Sequence, residues 1–284
     1  EYVMQATKTS LDSYVSVLMM ENKVVTKKVL ERAGISVPGG YEYTSPEAGM
    51  ADYRMYAGKP VVIKPKSTNF GLGITILKHN YDETDFKGAL QIAFEHDNTL
   101  LIEKFIPGRE FRIFIINDEV VGILHRVPAN VTGDGVLNIG QLIDRKNEDP
   151  LRGKGYRTPL EKIRKGREEE MFLKQQGMDF NTVPKEGEVV YLRENSNIST
   201  GGDSIDFTDD IDDSYKAIAV EAAKALNVKI TGLDMMIQDI HAPATPDNYA
   251  IIEMNFNPAI HIHCYPFKGK NRHLNHKMIR ALGF

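Results

Sequence analysis

Two apolar runs in the last quarter of the chain, each interrupted by one acidic residue, organise its reading. Residues 230–237 and 249–256 are rich in aliphatic and β-branched side chains, so both are predicted to be strands. Asp234 breaks the first run and Glu253 the second, with Asn255 two positions on. Side chains at i and i+2 of a strand share a face, which puts Glu253 and Asn255 on one side. If the two strands pair, Asp234 joins them, and two carboxylates with an amide oxygen surround one point. The alternative is a solvated sheet face. The apolar neighbours Leu233, Met235, Met236, Ile251, Ile252 and Met254 favour a site.

Elsewhere the pattern alternates between helix and strand. Residues 21–33 read as a helix capped by Asn22, with Val25, Val29 and Leu30 as its apolar stripe and Gly34 as its end. A strand at 61–64 leads into a glycine-bearing loop, 65–73, and a second strand, 74–77, leaves it. Asp82 opens a helix whose Phe86, Leu90, Ala93 and Phe94 recur at helical spacing. Residues 100–106 read as a strand. A hairpin is predicted over 111–116 and 120–127, turning at Asn117 and Asp118. From 133 to about 188 the pattern loosens into loops with short charged helices at 141–147 and 168–176, predicting an insertion without a core of its own. A strand at 189–193 and a helix at 215–226 follow.

These elements predict an α+β protein of two lobes built on mainly antiparallel sheets, and 284 residues suffice for two cores. The expected division is 1–20 as the remnant of a preceding region, 21–106 as a smaller lid lobe and 107–284 as a larger catalytic lobe carrying the insertion.

Composition narrows the partners. A formal charge of −4 gives no reason to expect nucleic acid. The single cysteine, Cys264, rules out an internal disulfide framework and fits a cytoplasmic location. Nothing marks it as an activated nucleophile. No apolar run reaches membrane-spanning length, and no signal peptide is visible. A start at Glu1, directly in strand-like sequence, reads as a piece of a longer polypeptide.

The loop at 65–73 is the second candidate for chemistry. The chain lacks the phosphate-loop string of strand, G-x-x-x-x-G-K-[ST] and helix, and a strand rather than a helix follows Gly71 and Gly73, which excludes the dinucleotide fingerprint. What remains is a hairpin with Ser67, Thr68 and Asn69 at its tip, whose backbone amides can approach a phosphate where glycine removes the side-chain obstruction. Lys64 supplies a cation beside it. Glu103 and the backbone near Phe105 and Ile106 can read an adenine edge, and Glu110 can accept from ribose hydroxyls, although alone it reads as a solvent-facing strand residue. His261 and His263 fall on one predicted strand face with no third metal ligand at supporting spacing. The basic loop Lys268–Arg272 is either solvated or a carboxylate holder.

In this order the residues resemble an ATP-grasp ligase along nearly the whole chain. Arg126-Val-Pro-Ala, Gly133-Asp-Gly135, Asp149-Pro-Leu-Arg-Gly and Leu192-Arg-Glu-Asn-Ser-Asn-Ile-Ser-Thr-Gly-Gly-Asp-Ser204 are similar to two groups within that family. One is the glutathione synthetase module of bacterial bifunctional γ-glutamylcysteine synthetase–glutathione synthetases, and the other is the ATP-grasp module of cyanophycin synthetase. Residues 195–206 and the opening Gln5-Ala-Thr-Lys-Thr-Ser resemble the first most.

The resemblance implies roles position by position. Lys27 matches the first phosphate lysine, with Lys23 or Lys28 in its place if the register shifts, and Lys64 matches the second. Ser67, Thr68, Asn69, Gly71 and Gly73 form the flap over the phosphates. Glu103, Phe105 and Ile106 match the adenine-reading segment and Glu110 the ribose acid. Asp234, Glu253 and Asn255 match the ligands of magnesium, with manganese as a substitute. Arg126 and the segment from Arg193 through Asn197 to Ser199 fall where relatives hold the acyl phosphate and the acceptor, and Gly201, Gly202 and Lys268 are further candidates for holding substrate. One departure stands out: some ATP-grasp ligases carry an arginine two residues before the metal aspartate, and here that position is Gly232.

The implied reaction joins γ-glutamylcysteine to glycine through an acyl phosphate, with ATP consumed. The implied partner is a γ-glutamylcysteine synthetase domain preceding this chain, and a homodimer is a candidate assembly. Two alternatives stay open, a cyanophycin-synthetase-like ligase and a nucleotide-binding module without turnover.

Overall fold

The computed structural model describes residues 7–68, 72–78, 80–155 and 157–284. By internal contacts the chain falls into two units. The first comprises 1–109, 113–120 and 211–258; the second comprises 110–112, 121–210 and 259–284.

The first unit contains a four-stranded antiparallel sheet in the order Gly40–Tyr43, Leu100–Lys104, Val61–Pro65, Thr75–Leu77. Helix Glu83–Phe94 packs on one face of it. That helix begins where the pattern placed it, because Asp82 accepts the Thr84 and Asp85 amides at 2.8 and 2.9 Å while Asp85 accepts the Asp82 amide. Alternation explains the sheet. Val61, Ile63, Leu100 and Ile102 join Phe86, Leu90 and Ala93 in one core, which leaves Lys64 and Glu103 to the opposite face.

The same unit holds the antiparallel hairpin Ile230–Ile237 with Tyr249–Asn255, as the apolar runs predict. Its N-terminal helical region differs from the expectation. Two helices, Tyr14–Glu21 and Lys23–Arg32, meet at Asn22, which ends the first and caps the second by accepting the Val24 and Val25 amides.

In the second unit Glu119–Val127 pairs with Asp203–Asp206, and Asn130–Thr132 pairs with Val189–Tyr191. Strand Arg109–Ile116 contributes residues to both units. The turn between it and Glu119–Val127 puts Asn117 and Asp118 at φ of 47° and 65°, the left-handed pair that a tight hairpin requires.

The insertion packs its apolar residues against the strands that flank it. Ile139, Leu142, Ile143, Ile163 and Leu173 form a buried cluster with the flanking Ala129, Val131, Val190 and Leu192, a core shared with those strands. Beneath it the fully buried Arg152 side chain pairs with Asp203, which also accepts from Lys146 at 2.7 Å. His261 and His263 are also misplaced by the pattern. They lie in a one-turn helix, His261–Cys264, and His263 is completely buried. Burial, reinforced by the Arg112 charge, holds its pKa down at about 3.

Candidate functional site

The register of the hairpin decides where its donors point. Asp234 lies directly opposite Glu253, and Gly232 directly opposite Asn255. Residues paired in this way share a face of an antiparallel ladder, so all three expected ligands emerge on one side. Asp234 is 3% exposed, while Glu253 and Asn255 are half-buried. The Asn255 amide nitrogen donates to the Gly232 carbonyl and to Glu253 Oε1, each at 3.3 Å. Its nitrogen is thereby committed, and its oxygen is the atom left for a cation. Past Asp234 the register shifts, and Met235 pairs with Ile251. Bulges of this kind often re-aim side chains beside functional sites.

A second cluster lies in the same unit, on the face of the four-stranded sheet that the helix leaves uncovered. Lys64 is opposite Leu101, which places it diagonally beside Glu103. The two form an ion pair at 2.8 Å, and Lys27, from helix Lys23–Arg32, pairs with the other Glu103 oxygen. All three are buried, at 8% exposure or less. Glu103 therefore holds two cations together. Burial pushes the Glu103 carboxyl up, but the Lys64 and Lys27 charges outweigh it and the net shift is downward. Lys27 also shifts downward. Burial and the neighbouring Lys64 charge hold it at about 8, despite the pull of Glu103.

Lys23 joins the two clusters. Its ammonium donates to the Thr68 carbonyl at the root of the loop at 2.8 Å. Burial lowers its pKa, opposed first by the charge of Glu253 and then by that of Glu103. The Ser67 amide is held by Asp97 at 2.7 Å, and Gly73 takes φ +75° where an added Cβ would meet Pro65 and His96 at 2.7 Å. The loop thus leaves and re-enters the sheet on fixed stems. Asn69 and Gly71 lie outside the described residues. Strand Leu100–Lys104 stops short of Phe105 and Ile106, and the Phe105 amide donates to the Pro60 carbonyl at 3.0 Å.

Residues 20–145 match the RimK-like ATP-grasp domain. The fold is that of an ATP-grasp domain. It is 63% identical over 284 residues to the glutathione biosynthesis bifunctional protein GshAB of Desulfotalea psychrophila, covering 100% of this chain and 36% of that protein. A crystal structure of a bifunctional glutathione synthetase from Pasteurella multocida superposes with a TM-score of 0.76 at 47% identity, over 99% of this chain and 39% of that one. The ATP-grasp ligase PsnB, solved with a variant of its minimal precursor, Mg and ADP, shares the fold at a TM-score of 0.52 and 14% identity, over 95% of this chain and 61% of that one. The chain therefore spans a little over a third of the length of the curated relatives it matches. ATP and divalent-metal use go with this family, and two carboxylates and an amide oxygen are the hard-donor chemistry such a metal takes.

The remaining expected residues lie in the second unit. Glu110 pairs with Arg126 and accepts from the Ser196 hydroxyl at 2.8 Å, while its own carbonyl contacts His125 Nδ1 at 3.0 Å. Arg193 points elsewhere. Its guanidinium is bound by Glu168 and Glu169 at the start of helix Arg167–Gln175, so it fastens the insertion.

Gly201 and Gly202 are places of close approach. An added Cβ would meet Ile163 at 2.8 Å in the first case, and the Asn197 and Val127 carbonyls at 2.8 Å in the second. Asn197 and Ser199 sit in the turn that these glycines close. Lys268 bridges to Ile205, whereas the adjacent Ser204 pairs with Arg126. Alternation then sends the Lys268 and Arg126 side chains to opposite faces, so they do not converge on one ligand. Within the same loop Arg272 is forked onto Asp206 and Asp209.

Sequence reasoning missed the bridging role of Glu103, the link made by Lys23 and the hydroxyl of Ser196. Of these, only Lys23 left a signal, as one of three lysines at the start of one helix.

Proposed function

We propose that this chain is the glutathione synthetase module of a longer, cytoplasmic bifunctional enzyme, joining γ-glutamylcysteine to glycine at the expense of ATP. One observation carries the nucleotide half of this reading. The ligand face of the hairpin and the lysine cluster belong to one unit, with Lys23 in electrostatic reach of both Glu253 and Glu103. The 63% identity to the bifunctional relative supports the substrate half.

The reaction calls for alignment and charge cancellation, because a carboxylate must approach a polyanion. A cysteinyl carboxylate oxygen forms a bond to the γ-phosphorus while the bond to ADP breaks. The glycine amine then attacks the acyl carbon, loses a proton and expels phosphate. Lys27 and Lys64 hold phosphate oxygens, which replace part of their attraction to Glu103. Asp234, Glu253 and the Asn255 oxygen would hold magnesium, which would supply neutralisation of charge on the phosphates. Ser67, Thr68 and Gly73 lie on the stems of the segment that the resemblance makes a flap, whose role is to keep water from the reactive acyl phosphate. Phe105 and Ile106 flank the adenine. In the second unit Glu110, Arg126 and Ser196 form a cluster suited to a ligand bearing hydroxyl and phosphate groups. The loop of Asn197 and Ser199 borders the acceptor.

Phosphate release with ATP, magnesium and each pair of acceptors tests the assignment. Turnover is expected with γ-glutamylcysteine and glycine and absent with an aspartyl peptide and arginine. The reverse pattern, or nucleotide binding without turnover on any pair, overturns it.

Lys27 adds a pH signature. With its pKa at about 8 in the free protein, about half of the molecules carry a neutral amine there, and a triphosphate favours the ammonium. Nucleotide binding at pH 8 should therefore take up protons, and affinity should fall as pH rises from 7 to 9. Calorimetry in buffers of different ionisation enthalpy reads the uptake, and a proton count of zero at pH 8 removes Lys27 from the phosphate contacts.

A further inference from the structure

The segment before helix Lys23–Arg32 makes a set of contacts that the proposed reaction does not use. Thr7 is 2% exposed. Its amide and hydroxyl donate to Asn257 Oδ1 at 3.1 and 3.0 Å, and the hydroxyl also reaches the Pro258 carbonyl at 2.9 Å. Asn257 and Pro258 follow Asn255 by two and three residues. Lys8 places its ammonium 4.9 Å from the centre of the Phe256 ring. Further along, Asp12 accepts the Lys229 amide at 2.5 Å and the Ile230 amide at 3.3 Å, where the strand bearing Asp234 begins. The Ser16 hydroxyl donates to the Asn227 carbonyl at 2.9 Å. Thr231 closes the set, since its hydroxyl donates to the Asn255 carbonyl at 3.0 Å and contacts Met20 Sδ at 3.5 Å.

All of these contacts fall at one end of the hairpin, the end where Gly232 opposes Asn255. One strand is held as it enters and the other as it leaves. A connecting segment with no role there would run exposed and bond mainly to water.

We propose that residues 7–20 form a strap that fixes the two strands in the register that lets Asp234, Glu253 and Asn255 converge, with Thr7 and Asp12 as its positioning residues. The proposal rests on the reading of those three residues as metal ligands. Neither Thr7 nor Asp12 touches the metal position. Both act through backbone and side-chain atoms of the ligand-bearing strands, as the outer partners of metal sites do. Side chains in that role commonly change metal affinity by about 10–100-fold when removed.

The test is Mn²⁺ titration of the whole chain with ADP, followed by electron paramagnetic resonance, for the parent, Thr7→Val, Thr7→Ser and Asp234→Asn. Thr7→Val should weaken Mn²⁺ binding about tenfold while the melting midpoint stays within about 2 °C, and Thr7→Ser should restore it. If Asp234→Asn loses Mn²⁺ and Thr7→Val binds it like the parent, the strap is overturned while the metal site stands. If Asp234→Asn binds Mn²⁺ unchanged, the ligand reading falls and the strap falls with it. Should Thr7→Val not fold, Asp12→Asn gives the same readout at the other strand. A Mn²⁺ affinity equal to the parent's then overturns the proposal, and a weakened affinity in a folded protein supports it.

Discussion

Asp234→Asn should lower ligase turnover about 10²–10³-fold while leaving the fold in place. The substitution keeps the shape of a side chain that is 3% exposed and removes its charge, so the change falls on cation binding more than on packing. ADP formation at saturating ATP, γ-glutamylcysteine and glycine measures it. Nucleotide should still bind, since Lys27, on helix Lys23–Arg32, and Lys64, on the four-stranded sheet, are untouched and lie outside the hairpin that bears Asp234. Turnover within about threefold of the parent would remove Asp234 from the metal ligands, because losing one electrostatic contact to the transferring phosphoryl group costs far more than that.

Glu103→Ala should produce the largest loss of stability of any single change in the first unit. Glu103 is the shared counter-ion of two buried ammonium groups, and removing it leaves both without compensation. Breaking a buried pair from one side destabilises by about 3–5 kcal/mol, which for a chain of this size lowers the melting midpoint by roughly 10 °C. Adding Lys64→Met to that variant should recover part of the loss, because one of the two unpaired cations is then gone. ATP with magnesium should also raise the midpoint of Glu103→Ala more than that of the parent, as the triphosphate replaces the missing carboxylate. Differential scanning calorimetry decides the matter: a midpoint shift under about 3 °C would show that water reaches the two lysines and that the pair is not buried in solution.

The parts of this site that sequence reveals are those decided locally. The strands at 230–237 and 249–255 stand out because a buried apolar run seldom carries a lone acid unless that acid has a partner to hold. Their direct pairing then gives Asp234 and Glu253 a shared face. Asn22 and Asp82 announce helix starts through their own side chains. What depends on distant residues leaves no such trace. Lys27, Lys64 and Glu103 are brought together by a helix and two strands, and only the fold shows that Glu103 faces the lysines. The insertion hides its core for a related reason, since Ile139, Ile163 and Leu173 come from three short segments that show no sustained period. The one-turn helix at His261–Cys264 is too short to carry a helical signature, and His-Ile-His imitates strand alternation.

The register shift after Asp234 bears on how this segment tolerates change. Ile251 is fully buried, and strict alternation would turn Glu253 toward the same side as Ile251. The extra residue at Ile252 resets the phase, so that one half of the strand feeds the hydrophobic interior and the other half presents oxygen donors. A deletion or insertion of one residue between Tyr249 and Glu253 would exchange those two duties. Length in this short stretch is therefore constrained more tightly than the identity of its aliphatic side chains, and grafting the motif onto another sheet would require copying the kink together with the donors.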